Sequence, residues 1–401
     1  MLEALIRGMG WEVADMEIDC CEFHTSSPNE FLIPGLPEDI ARECLLKVSY
    51  RSHPCLRKVC RRWEKEVTDP VFFLERRKAG TTRHCVCMVQ ALPVAPRGGN
   101  NSSSSNKEKD ATVVYGISMY DLEQRTWEWL PNIPEFPQGL PLFCRITSSN
   151  GKLLVLGGWH PSTWEALRCT FVFNFSSHSW SRGADMPRVR SFFACGVIDG
   201  SVFVAGGHDD NKTALATADV YNLDADRWER LPDMSEERDE GAGVVLDGKF
   251  FVISGYGTNS QGQFGSSADV FDPSSGSWSR VNQMWTMSGG SSPPPNGYVV
   301  VARGELYSFH RQSLVRYCPM KNVWNSVDVV VPPEATRINP PCATSVNDVI
   351  FAMGSVLSSK AAECQGLIYR LQENSDTGAW QAIEFSEDFS GLAQTSCTVE
   401  I

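Results

Sequence analysis

The sequence contains no stretch of eighteen consecutive apolar residues, so no helix long and apolar enough to cross a bilayer is expected. Its first residues, Met1 to Glu22, lack the basic start and the continuous apolar core of a secretory signal, because Glu3, Glu12, Asp15, Glu17 and Asp19 interrupt them. Positive charge is short as well. Lys and Arg number 36 against 48 Asp and Glu, a formal net charge of −12. Nucleic acid and acidic membrane surfaces are therefore not expected as partners, since both would be repelled. The histidines are few, 7 in all, and none stands at metal-ligand spacing, so no metal or other cofactor is expected. Neither a Gly-x-Ser-x-Gly elbow nor a phosphate-binding loop occurs, and an enzyme is not expected. Cysteine is not scarce, at 14, but pairing is. Cys20–Cys21 and Cys85–Cys87 are the only close pairs, and no second pair completes a zinc site. They read as reduced, mostly buried thiols of a protein of the cytoplasm and/or nucleus.

What is present is a repeat. An aromatic residue stands seven positions before a Trp in Tyr120/Trp127, Phe173/Trp180, Tyr221/Trp228, Phe271/Trp278 and Tyr317/Trp324. A sixth pair, Tyr369/Trp380, carries a four-residue insertion. The Trp-to-Trp steps are 53, 48, 50, 46 and 56 residues. Upstream of the aromatics lie apolar runs ending in glycine, such as Leu153 to Gly158 and Val202 to Gly207. Each run follows a tight-turn pair: Asn150-Gly151, Asp199-Gly200, Asp247-Gly248, Arg303-Gly304 or Asn347-Asp348. Such pairs suit two-residue hairpins. Each copy is thus four short strands, and the period is that of a kelch propeller blade. The fold class is mainly β: a six-bladed propeller over residues 80–401, its blades wedged apart by the Tyr/Phe and Trp side chains. The first copy lacks an opening strand. Residues 392–401, left over with apolar alternation, are expected to return and complete it, leaving no open edge.

Residues 29–79 differ: glycine is sparse and leucines recur at helical spacing. A helix is expected to start at Leu36-Pro37-Glu38-Asp39-Ile40, with Ile40, Cys44 and Val48 on one stripe beside Leu45. A second is expected across Cys55–Val67, and a third from Asp69-Pro70. Residues 1–28 are expected to be flexible, and the Ser/Asn-rich 97–110 a disordered loop.

Leu36-Pro37-Glu38-Asp39-Ile40, Leu45-Leu46 and Val59-Cys60-Arg61-Arg62-Trp63 resemble an F-box, a small all-α module. With the propeller behind it, the chain from Asn29 to Ile401 resembles the plant F-box/kelch-repeat proteins. Stretches such as Gly206-Gly-His-Asp209 and Arg182-Gly-Ala-Asp-Met-Pro187 support the match. The resemblance implies a non-catalytic substrate-recognition subunit of a Skp-cullin-F-box ubiquitin ligase. Leu36, Pro37, Ile40, Leu45, Leu46, Val59 and Trp63 would bind a Skp-type adaptor, and through it a cullin. Relatives of this subgroup capture phenylalanine ammonia-lyase or type-B response regulators, which implies a role in phenylpropanoid flux or cytokinin signalling. The alternative is a kelch scaffold or adaptor protein acting without a cullin complex.

Strand alternation selects the face for a protein substrate. With strands numbered from the axis outward, the 1–2 and 3–4 connections share one end of the ring, and the 2–3 and 4–1 connections share the other. The 2–3 links are the long ones and carry Trp159, Trp164, His208, Tyr256 and Phe264. The 4–1 links bring Arg145, Arg190, Arg238 and Arg337 to the same end. Those aromatics with Arg145, Arg190 and Arg238 are the expected substrate-binding set. An arginine ring there would suit an acidic or phosphorylated partner.

Overall fold

The computed structural model describes residues 31–93, 113–287, 299–310, 313–327, 342–357, 362–371, 378–383 and 385–401. The expectations at 1–28, 97–110 and Arg337 lie outside the described residues. Among the described residues, twenty-four strands form six four-stranded antiparallel sheets. From the axis outward, blade 1 is Ala393–Glu400, His84–Ala91, Tyr115–Asp121 and Thr126–Trp129. Blade 2 is Arg145–Ser149, Lys152–Leu156, Thr170–Asn174 and Ser179–Gly183, and blade 3 is Ala194–Ile198, Ser201–Ala205, Ala218–Asn222 and Arg227–Arg230. Blade 4 is Ala242–Leu246, Lys249–Ile253, Ala268–Asp272 and Ser277–Val281. Blade 5 is Val299–Ala302, Glu305–His310, Ser313–Cys318 and Val323–Ser326, and blade 6 is Cys342–Val346, Val349–Leu357, Ala362–Leu371 and Gly378–Ile383. The inner strands are neighbours all the way round, and Ala393–Glu400 lies between those of blades 6 and 2.

The seven-residue spacing has a local cause. The aromatic and the Trp are cross-strand partners at the foot of the hairpin joining strands three and four, as in Tyr120 opposite Trp127 and Tyr221 opposite Trp228. In four blades an Asp or Asn follows the aromatic and closes the turn by accepting an amide two residues on. Asp121 receives Glu123 N, Asn174 receives Ser176 N, Asn222 receives Asp224 N and Asp272 receives Ser274 N. In blades 2 to 5 the 1–2 turns place both central residues at positive φ, for example Asn150 at 48° and Gly151 at 69°, the geometry that matches strand twist.

Six hydrophobic clusters fill the six seams, each drawing on two adjacent blades. Each aromatic–Trp pair also reaches the preceding blade. The indole N–H groups of Trp180, Trp228, Trp278 and Trp324 donate to the carbonyls of Pro131, Ala184, Pro232 and Met284, at 2.7, 2.9, 2.7 and 2.8 Å. In blade 1 the partner comes from the far end of the chain: Trp127 packs on Phe385 and Phe389, ring centroids 4.7 and 5.4 Å apart. The seam between blades 6 and 1 is thus filled like the others. One glycine matters to the ring: a Cβ on Gly206, at φ 69°, would press into the Arg238 carbonyl of the next blade's approach.

The helical segment comprises α1 (Glu38–Leu46), α2 (His53–Leu56), α3 (Arg61–Thr68) and α4 (Pro70–Lys78). Asp69 caps α4 by accepting Val71 N at 2.8 Å, and Pro70 fills its first turn. The helix expected over Cys55–Val67 is two helices. Cys60 is extended, which turns Val59 out to solvent while Leu56 and Val67 both reach the core. On α1 the buried residues are Ala41 and Leu45, while Ile40 on the neighbouring stripe is exposed. Cys55 and Cys60 are exposed, whereas Cys85, Cys87, Cys144, Cys169 and Cys342 are buried as expected.

Candidate functional site

Two surfaces at opposite ends of the molecule carry the sequence-predicted residues. The helical segment sits on the end that bears the 1–2 and 3–4 turns. Tyr50, in the short turn before α2, donates to Glu128 of blade 1 at 2.8 Å and packs edge-on against Phe175 of blade 2. Arg51 donates to Thr126 and Arg57 to the Ser177 carbonyl. The Phe73 ring covers Gly151, and Arg77 pairs with Glu400 at 3.1 Å. Beneath these contacts Arg76 is buried. It donates to the Val48 and Thr81 carbonyls and lies 2.9 Å from His53 Nε2. Burial first, and the Arg76 guanidinium second, push the His53 imidazole down to about 4. The segment is therefore fixed to blades 1 and 2 by many unlike contacts rather than hung from a linker.

Of the residues expected to meet an adaptor, Pro37, Ile40 and Val59 are exposed, Ile40 by 43% and Val59 by 59%. Leu36, Leu46 and Trp63 are half-buried in the segment's own core, with the Trp63 indole donating to the Leu32 carbonyl. Leu45 is fully buried there and contacts no partner; that expectation is corrected. Phe31, 63% exposed, was not singled out from sequence.

At the other end, the 4–1 and 2–3 links are tied by three equivalent bridges: Leu142 to Trp159, Ser191 to His208 and Asp239 to Tyr256. Trp159, His208 and Tyr256 are thus one position in three successive blades. They share a bonded chain. The Trp159 indole donates to Ser191 Oγ at 2.7 Å, Ser191 Oγ meets His208 Nε2 at 2.9 Å, and His208 Nδ1 meets Asp239 Oδ2 at 2.8 Å. Ser, His and Asp in this order resemble a hydrolytic triad, but the serine is not a nucleophile. Ser191 is fully buried, its oxygen already accepts an indole proton, and its amide is bonded to the His208 carbonyl. The chain is a tie between blades.

The expected arginine ring is corrected. Arg190 and Arg238 are 0% and 1% exposed and turn inward. Arg190 bonds Asp219 at 2.5 Å and the Gly206 and Thr217 carbonyls; Arg238 bonds Asp269 at 2.7 Å and the Ser254 and Ser267 carbonyls. Each staples the start of a blade's first strand to its second and third, and the low dielectric there makes the buried Asp the natural partner. Arg145 is not equivalent to them. It lies on the first strand of blade 2, lines the axial channel, and donates to the Phe193 carbonyl at 2.9 Å. His208 and Tyr256 are buried and structural too. Trp164 is 54% exposed, while Trp159 and Phe264 are half-buried.

Sequence reasoning missed the channel mouth. The axial cavity, about 490 Å³, is lined by all six inner strands and rimmed by Phe143, Phe192, Glu240 and Gln394. Phe143, Phe192 and Glu240 hold one position in three 4–1 links, with φ of 55°, 55° and 54°. Left-handed backbone is unusual for bulky side chains and marks a site held by its surroundings. Phe143 and Phe192 lie 4.8 Å apart, and Phe192 stacks on His208 at 5.4 Å. The signal in the sequence was their spacing, 49 and 48 residues, the blade period.

Comparison with known proteins matches these two parts. A family model described as the KLHDC2/KLHL20/DRC7 Kelch-repeats domain matches residues 83–309, and an F-box domain model matches residues 33–75. The chain is similar to F-box/kelch-repeat protein At1g80440 of Arabidopsis thaliana, 35% identical over 372 residues, covering 92% of this chain and 99% of that protein. It is also similar to F-box/kelch-repeat protein At1g15670 of Arabidopsis thaliana, 40% identical over 379 residues with 92% and 99% covered. F-box/kelch-repeat protein SKIP20 of the same plant is 37% identical over 305 residues, with 69% and 71% covered.

Proposed function

Because this chain belongs to the F-box/kelch-repeat family, we propose that it is the substrate-recognition subunit of a Skp-cullin-F-box ubiquitin ligase. The observation that carries this is the exposure of Pro37, Ile40 and Val59. They stand on a helical segment that is itself locked to the propeller, at the end opposite the open loop face. A Skp-type adaptor covers these residues and links the chain to a cullin; the propeller holds a protein substrate at the far end. The work done is positional: a fixed handle keeps the substrate's lysines at high effective concentration near the ubiquitin carrier, and no side chain of this protein reacts. Burying Ile40 and Val59 in the adaptor contributes about 1.5–3 kcal/mol each. Phenylalanine ammonia-lyase and type-B response regulators, the substrates implied by the resemblance, are the first to test, in cytoplasm and nucleus.

The test is co-expression with a Skp-type adaptor and cullin. The native chain co-purifies with both. The double variant I40D/V59D loses the adaptor while its melting temperature stays unchanged. Retention of the adaptor by that variant, or no co-purification by the native chain, refutes the assignment in favour of a scaffold acting without a cullin.

A further inference from the structure

We propose that the open end of the ring binds a basic segment of its partner, one presenting Lys or Arg beside apolar side chains. The partner is called a substrate only on the reading above; the binding chemistry does not depend on it. The platform is aromatic and open. Phe143 is 39% exposed and packs at a tilt against Phe192, and Trp164 is exposed on the next link at φ 59°. Aromatic faces on a rigid scaffold are strong anchors, and they attract cations above the ring by about 0.5–2 kcal/mol.

The charge around that platform decides the partner's sign. The arginines that would favour an acidic or phosphorylated segment are spent internally on Asp219 and Asp269. What faces solvent on the same links is acidic: Glu165, Asp209, Asp210, Glu237 and Glu240. Among the described residues none of these five carboxylates lies within ion-pair distance of a Lys or Arg. They accept hydrogen bonds from neutral groups: Glu165 from Thr163, Asp209 from the Asn211 and Thr213 amides, Asp210 from the Asn211 side chain, Glu237 from Thr258 and Glu240 from Tyr256. Among the described residues, the exposed cations of these links without an acidic partner are Arg188 and Lys212. Glu240 stands at the mouth of the channel of about 490 Å³, where a long cationic side chain entering from the platform meets a carboxylate. An acidic segment placed on the rim faces like charge, and the channel-lining Arg145 is half-buried and already donates to the Phe193 carbonyl; like charge is how such surfaces exclude wrong partners.

The test uses the full chain purified with its adaptor and a displayed random-peptide library. Selected peptides are expected to be enriched in Lys and Arg together with aromatic or aliphatic residues. Anisotropy of a selected peptide should show affinity falling severalfold between about 0.05 and 0.5 M salt. It should also show a loss of about tenfold in E165K/D210K, two exposed substitutions that leave melting and adaptor binding unchanged. A third expected result is a severalfold loss in Phe143→Ala. Enrichment of acidic peptides, preference for phosphoserine in place of the basic residues, no enrichment at all, or unchanged binding in E165K/D210K overturns the proposal. Loss of the adaptor with basic-peptide binding intact would instead sink the ligase assignment and leave this one standing.

Discussion

Arg238 offers the sharpest test of the difference between a surface arginine and a structural one. Its guanidinium is 1% exposed and bonded to Asp269, which is itself fully buried, and to two carbonyls and the Ser267 hydroxyl. Arg238→Met leaves the buried Asp269 carboxylate without its cation, while Glu236, the other acid on Arg238, is half-exposed and keeps Arg280. Breaking a buried pair on one side costs about 3–5 kcal/mol. With a urea dependence of about 3 kcal/mol per molar for a domain this large, the midpoint should fall by about 1–1.7 M. Removing both partners in R238M/D269L should recover most of that loss, because an apolar pair of similar volume has no charge to strand. The cycle therefore predicts a coupling of at least about 2 kcal/mol. The readout is urea unfolding followed by the fluorescence of the 12 tryptophans. If R238M unfolds at the native urea concentration yet loses partner binding, Arg238 is a contact residue and the structural account is wrong.

Three further outcomes follow from the same geometry. Trp324 is fully buried and donates to the Met284 carbonyl across the seam between blades 4 and 5; Trp324→Phe should cost about 2–3 kcal/mol by calorimetry, from the stranded carbonyl and the void, and a loss below about 0.5 kcal/mol refutes the staple. Val399 is 1% exposed on the strand that closes blade 1; Val399→Asp should lower the melting of the whole ring and not of one blade, and a biphasic melt with most of the ring unaffected contradicts closure through that strand. His53 is held neutral, at about 4 when folded against an ordinary 6.5. Its contribution is complete above about pH 6.5 and is lost as pH falls toward 4, about 2 kcal/mol by pH 5. The pH 7.5-to-5 drop in stability should shrink by that amount in His53→Phe, and an unchanged drop refutes it.

The blade plan was legible because it is local. Tyr120 and Trp127 face each other across one hairpin whose Asp121 closes the turn, so the spacing is written within eight residues of chain. The returning strand was legible from counting, since blade 1 had three strands upstream and one segment was left over. Strand alternation correctly put the 2–3 and 4–1 links at one end of the ring, but which of their side chains reach solvent was misjudged. Arg190 and Arg238 looked alike and accessible because their partners, Asp219 and Asp269, stand 29 and 31 residues away on another strand. Leu45 looked like a partner contact because helix periodicity does not say which stripe the neighbouring helices cover.

Turn chemistry and side-chain period act over a few residues, so the repeated four-strand unit, its number, its closure and the helical segment in front can all be read along the chain. Which charges are spent inside and which remain outside is settled only when distant strands come together. A buried arginine and an exposed one are the same letter, and what separates them is whether folding brings a carboxylate and carbonyls close enough to replace the water each guanidinium gives up.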